Sequence, residues 1–350
     1  MIRLFSLYHR PMKVTAWPQM NDDLLMEQKI SSLGLTIGPE TEFYPYIQQL
    51  YQELENHGLS FKPPCFLADE WFCPVGIPAI GIPFYLAHPR LRKIEKKEIL
   101  EVEGGTHTWF MKLLRHEAGH AYSYAYRLYR RKIWREMFGS ASLPYPDTYK
   151  PKPHSHSYVV HLDNWYAQSH PDEDFAETFA TWLAPSSKWK KKYSQWKAIK
   201  KLNYVDKIMA EIAGKKPLIE PRYKVVDVCG LNLKMKTFYA RKKKECADSY
   251  PDFYDKDLKR LFDLPEGNKK SPKAHAYLSK RRKLIRDAVA IWTREKKYTI
   301  DTLLTDLITR CRELDLRVKS QTDGLELLIG SFIASMIITY LFTGKFKRSQ

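Results

Sequence analysis

The sequence predicts an α+β chain that is mostly helical. Apolar residues recur at three- and four-residue steps through the segments 43–57, 106–132, 169–183 and most of 272–343. The clearest extended stretch is Gly76-Ile77-Pro78-Ala79-Ile80-Gly81-Ile82-Pro83-Phe84-Tyr85-Leu86. Its alternating Ile, Pro and Gly suit a strand or edge strand and exclude a helix. With 350 residues, 44% of them apolar, the chain has room for two or three packed units and is not broadly disordered.

In chain order, residues 1–20 carry little pattern and read as an N-terminal arm. Asn21 to Leu35 has a helical rhythm around Leu24, Leu25, Met26 and Ile30, ended near Gly34. Phe43 to His57 is a clearer helix, with Tyr46, Ile47, Leu50, Tyr51 and Leu54 on one face and His57-Gly58 closing it. Asp69 and Glu70 precede the extended stretch and are candidate contacts for a metal or substrate. Leu91 to Glu103 reads as a charged short helix followed by a turn at Gly104-Gly105, after which Thr106 or Thr108 can cap the next helix. That helix is expected to run to about Lys132. Residues 139–160 read as a Pro-rich loop carrying His154-Ser155-His156. Lys-rich helical segments fill 182–214, and Lys224-Val225-Val226-Asp227-Val228 suggests a strand. Past Pro251 the chain reads as helices over 272–297, 299–318 and 324–343. The expected division is therefore 1–20, 21–214 and a mainly helical accessory region, 215–350.

The helix after Thr106 contains His116-Glu117-Ala118-Gly119-His120. Two histidines four residues apart on a helix point the same way and can place two imidazole nitrogens on one zinc ion, while the intervening Glu117 reaches the water there. Such a site needs a third protein ligand. The segment Ser169-His170-Pro171-Asp172-Glu173-Asp174-Phe175-Ala176-Glu177-Thr178-Phe179 supplies candidates. Ser169 is a fair N-cap, and Pro171 is tolerated in a first turn. Phe175, Phe179 and Leu183 form an apolar row, and Ala176 and Ala180 form a small-residue row suited to close helix approach. Glu173 and Glu177 share one face about a turn apart. Two stacked carboxylates repel unless a cation or an imidazole N–H lies beside them. One Glu would then ligate the metal, and the other would accept the N–H of a ligating histidine.

Together these two segments resemble the gluzincin class of zinc metallopeptidases. The similarity is greatest to a bacterial family of zinc-binding metallopeptidases with an H-P-x-E-D-F-A-E-T-F-A signature, and it covers roughly residues 106–185. The resemblance implies a zincin-like core, a small sheet with the H-E-x-x-H helix and the glutamate helix, within 21–214. It assigns Zn2+ to His116, His120 and Glu173, with Glu177 behind a histidine and Glu117 as general base in peptide-bond hydrolysis. The catalytic domain of anthrax lethal factor has a similar glutamate helix and a tyrosine seven residues before its ligand. By that likeness Tyr166 is a candidate oxyanion stabiliser; His170 or His161 is the alternative. By fold analogy, the Ile77–Leu86 stretch would be an edge to which a peptide adds as a further strand.

Two other readings compete: a catalytically silent zincin-fold binding protein, and a basic protein with a structural zinc site and an anionic partner. The intact Glu117 argues against the first. Against the second, a structural site is normally closed by a fourth protein ligand, often Cys, and no Cys lies between Cys73 and Cys229.

The net charge of +18 permits an anionic partner, through the clusters Lys188–Lys192, Arg241–Lys244 and Lys280–Lys283. No zinc-finger or RNP-like motif accompanies them, so sequence-specific nucleic-acid recognition is not expected. Five cysteines without a C-x-x-C pair read as reduced thiols of a cytoplasmic protein. Leu327 to Phe342 is almost wholly apolar, but as a helix it would measure about 24 Å against a hydrocarbon core of roughly 30 Å. It reads as a buried core helix, with no membrane span expected.

Overall fold

The computed structural model describes residues 17–146, 149, 151–152, 155–163, 165–221, 227–245, 255–264, 271–319 and 324–343. Most of the expected N-terminal arm, His154, the segment Lys224–Val226 and Pro251–Tyr254 lie outside them.

Asn21 accepts the Leu24 N–H at 2.8 Å and so starts the short helix α1 (Asp22–Met26). Helix α2 (Tyr44–Asn56) buries Ile47, Leu50 and Leu54. Strands β1 (Cys65–Ala68) and β2 (Ile80–Pro83) form a two-stranded parallel sheet with Cys65 opposite Ile80 and Ala68 opposite Pro83. Among the described residues the chain is thus mostly helical with one small two-stranded sheet. The expected strand over 77–86 is only four residues long, because Phe84–Ala87 coils into a 3₁₀ turn. It is also no open edge at its centre. All four β2 residues are buried, and Gly81 is engaged by β1 on one side and by Phe72 on the other.

Pro89 opens α3 (Pro89–Ile99), capped by the His88 side chain, and Thr106 caps α4 (His107–Ala125) by accepting the Trp109 N–H. Helix α4 ends earlier than its apolar pattern suggests. Arg127 adopts a left-handed conformation (φ 52°), which stops the helix, and the pattern resumes in α5 (Lys132–Phe138). The glutamate segment forms α6 (Pro171–Leu183). Its N-cap is His170 and not Ser169: the His170 Nδ1 accepts the Asp172 N–H at 3.1 Å, while the Ser169 hydroxyl donates to the Tyr166 carbonyl. Helices α7 (Trp189–Lys192), α8 (Ile199–Ile212), α9 (Met235–Glu245), α10 (Asp255–Leu261), α11 (Ala274–Thr293), α12 (Lys297–Glu313) and α13 (Leu325–Thr343) complete the described fold.

Two hydrophobic cores form. The first runs from Trp17 to Tyr239 and includes Val228, Met235 and Phe238; the second is built by Leu258 to Ile337. Helix α13 buries Leu325, Ile329, Ile333, Met336 and Ile337 in that second core, yet leaves Leu327, Leu328 and Ile338 exposed. It is therefore buried on one side only, unlike the fully buried helix its composition suggests. No helix among the described residues is long and apolar enough to cross a membrane.

Within the first core α6 packs against α4, α5 and α8. Phe175 meets Trp134 and Phe138 of α5, and Phe179 stacks on Tyr122 of α4 at 5.3 Å. The crossing with α4 is closest at Gly119, where a Cβ would sit 2.8 Å from the Ala176 Cα and 3.1 Å from its carbonyl oxygen. Both atoms are backbone, so neither can rotate away. Gly119→Ala is expected to lower the melting temperature, since overpacking costs of about 1–3 kcal/mol outweigh the helix-propensity gain of about 1 kcal/mol. Thermal melts of wild type and variant check this; an unchanged or raised melting temperature would contradict the close crossing.

Candidate metal centre

His116 and His120 sit one turn apart on α4, and Glu173 and Glu177 one turn apart on α6. All four are buried at the helix crossing. His116 Nε2 lies 2.9 Å from Glu173 Oε2, His120 Nε2 lies 3.3 Å from the same oxygen, and the two Nε2 atoms are 3.2 Å apart. These three atoms form a compact triangle that could hold a metal ion, and among the described residues no fourth His, Cys, Asp or Glu joins the group. The structure thus brings together the three residues expected from the sequence as a ligand set.

The supporting contacts fix the orientation of each group. His116 Nδ1–H donates to Glu177 Oε1 at 2.8 Å, which turns Nε2 toward the triangle. The other Glu177 oxygen accepts the Leu162 N–H at 2.8 Å. Glu173 uses Oε2 toward the histidines, while its Oε1 accepts the Tyr145 hydroxyl at 2.8 Å. Tyr145 in turn stacks on His170 with ring centroids 3.9 Å apart. Sequence reasoning missed Tyr145, which lies in the Pro-rich loop 28 residues before its partner.

The other candidates separate clearly. Glu117 and Tyr166 line the same cleft as the triangle. The Tyr166 ring lies 5.8 Å from the His116 ring. His161 donates its Nε2–H to the Lys112 carbonyl, and His170 donates its Nε2–H to the Leu143 carbonyl while Nδ1 serves as the α6 cap. Both alternatives to Tyr166 are therefore committed elsewhere. Glu70 reaches the cleft lining. His156 stacks on Trp196 at 4.3 Å, outside the group that could hold a metal. The four described cysteines are unpaired. Each basic cluster spends charge internally: Lys190 faces Asp206, Lys242 faces Glu95, and Arg281 and Arg282 face Glu326 and Asp301.

Burial and ion pairing oppose each other throughout the centre. Burial alone would strip the proton from His116, but its hydrogen bonds to Glu173 and Glu177 outweigh this and hold its pKa well above the usual value. His120 is raised in the same balance, mainly by the Glu173 charge. Glu173 is pushed up by burial and pulled further down by the two histidines, ending well below the ordinary carboxylate range. Glu117 is the exception: burial raises its pKa, and the histidines only partly offset that.

An ion held by the Nε2 atoms requires neutral imidazoles, whereas the metal-free centre favours protonated ones. Metal binding near neutral pH is therefore expected to release protons. Affinity should fall by about tenfold per pH unit for each proton displaced, as pH drops below the raised histidine values. Calorimetric titration of the metal-free protein in two buffers of different ionisation heat checks this; a heat independent of buffer would contradict it. No protein-family model, curated protein or solved structure matches the chain.

Proposed function

We propose that this chain is a zinc-dependent peptidase of gluzincin type, with Zn2+ held by His116, His120 and Glu173. The observation that carries the proposal is a three-ligand set, with no fourth ligand among the described residues, opening onto a cleft that Glu117 also lines. Structural zinc sites are closed by four protein ligands, whereas catalytic ones keep a position open. Two of the triangle's sides, 3.2 and 3.3 Å, match the spacing of about 3.3 Å that bonds of about 2.0–2.1 Å give at tetrahedral angles, and the third, 2.9 Å, is shorter. Two imidazoles and one carboxylate are also a donor set suited to zinc.

The cleft has a volume of about 1620 Å³. That exceeds the roughly 300–1,000 Å³ typical of small-molecule sites and suits a polymer such as a peptide. When bound, zinc would acidify a water molecule and polarise a carbonyl. The remaining work falls to the chain. Glu117, its pKa raised by burial, is poised to accept a proton at its carboxylate and return it to a leaving amine. Tyr166, whose hydroxyl burial keeps protonated, donates a hydrogen bond toward negative charge developing on the substrate oxygen. Glu177 and Tyr145 hold His116 and Glu173 in their ligating orientations.

Glu117→Gln should retain about one zinc per chain and lose roughly 10²–10⁴-fold in peptide-library cleavage, the usual contribution of a general base. His116→Ala should lose both metal and activity. Metal analysis and cleavage assays on the three proteins check this. Stoichiometric zinc with no cleavage by wild type, or full activity in Glu117→Gln, would overturn the peptidase reading.

A further inference from the structure

We propose that the tip of the α11–α12 hairpin is the substrate-selecting wall of the cleft, and that it selects polypeptides presenting a bulky apolar side chain. This rests on the peptidase reading and names its substrate class. In the last turn of α11, Ile291 and Trp292 are 71% and 84% exposed although both are large apolar side chains. Both line the cleft that holds His116, Glu117, His120 and Glu173, and so does Ile338 of α13, 44% exposed. Residues from the segment that builds the first core line the same cleft. There Trp71, Phe72 and Val75, the last 85% exposed, stand in the connection between β1 and β2. Apolar side chains from two separate stretches of the chain thus line the same cleft as His116, His120 and Glu173.

The tip is held in place. Arg294 adopts a left-handed conformation (φ 58°) and donates its N–H to the Ala290 carbonyl at 2.9 Å, which ends α11 at Thr293. The Thr293 hydroxyl donates to the Val289 carbonyl at 2.9 Å and accepts the Glu295 N–H at 3.3 Å. Across the cleft edge Arg294 pairs with Asp163 at 3.2 Å, next to Leu162, whose N–H supports Glu177.

The cleft lining also carries charged groups, several of them paired within the chain. Arg294 is paired with Asp163, Lys297 with Asp287 at 3.2 Å, and Lys242 with Glu95 at 2.8 Å. Three of the five Lys and Arg residues lining the cleft are thereby paired within the chain, and beside them the tip exposes Ile291 and Trp292. A partly exposed aromatic at the wall of a cleft is the arrangement that anchors an apolar side chain.

The test uses the full chain as Glu117→Gln, so that bound peptide is not consumed. Fluorescein-labelled peptides that differ at one position, Phe, Leu, Ser, Lys or Asp, are titrated by anisotropy. The Phe and Leu peptides should bind at least about tenfold more tightly than the others, as burial of one large apolar side chain implies. Adding Trp292→Ala should reduce that preference to about twofold with zinc content and melting temperature unchanged, and Trp292→Phe should restore most of it. Equal binding of all five peptides, a preference for Lys or Asp, or a preference that survives Trp292→Ala would overturn the proposal. So would a Trp292-dependent dimer, or Trp292-dependent binding to phosphatidylserine vesicles in place of peptide. Selective binding with no cleavage by wild type would uphold the wall and reject the peptidase. Cleavage by wild type with no apolar preference would do the reverse.

Discussion

The close crossing of α4 and α6 is the constraint on which the candidate centre depends. Gly119 lies between His116 and His120, and Ala176 lies between Glu173 and Glu177, at the same offsets. The point where the backbones touch therefore sits between the functional pairs on both helices. Any larger residue at 119 separates the histidines from the carboxylates. The crossing is backed by packed aromatics, including Tyr122 stacked on Phe179 and Phe175 set tilted against Trp134 and edge-on against Phe138. Close approach at one point and dispersion contacts around it together set the geometry of the four polar groups.

Each of the two helices is tied outward by a buried ion pair beside its functional residue. Arg115, next to His116, makes two contacts of 2.7 Å with Glu53 of α2. Asp174, next to Glu173, pairs with Lys201 of α8. Burial pushes the Asp174 carboxyl up to about 7 even with that lysine beside it. The pair is therefore costly to hold and adds little net stability, but it fixes the rotation of α6. Inside the centre the histidines and glutamates compensate one another, which lets two buried carboxylates stay charged. Glu117 lacks such a partner, and its raised pKa follows from that difference.

Much of the centre was legible in the sequence because it is local. The i, i+4 spacing of His116 with His120 and of Glu173 with Glu177 needs only the helical repeat, and the apolar rows that make those segments helical are equally local. The small-residue row at Ala176 foretold a close approach, although its partner Gly119 was not identified. What the sequence hid depends on conformations without a periodic signal. Left-handed Arg127 ends α4 inside a continuing apolar pattern. His170 takes the cap that Ser169 is chemically suited to make. Tyr145 reaches Glu173 from a Pro-rich loop, and the α11–α12 tip reaches the cleft from the second core. Both are tertiary placements with no marker in spacing or composition.

The central claim is that His116, His120 and Glu173 together hold one metal ion. X-ray absorption at the metal edge of the purified full-length protein tests it most directly. The account predicts one zinc per chain, surrounded only by nitrogen and oxygen neighbours at about 2.0–2.1 Å, with the scattering pattern of two imidazoles. Zinc with a sulfur neighbour at about 2.3 Å, or protein that takes up no stoichiometric metal, would contradict it.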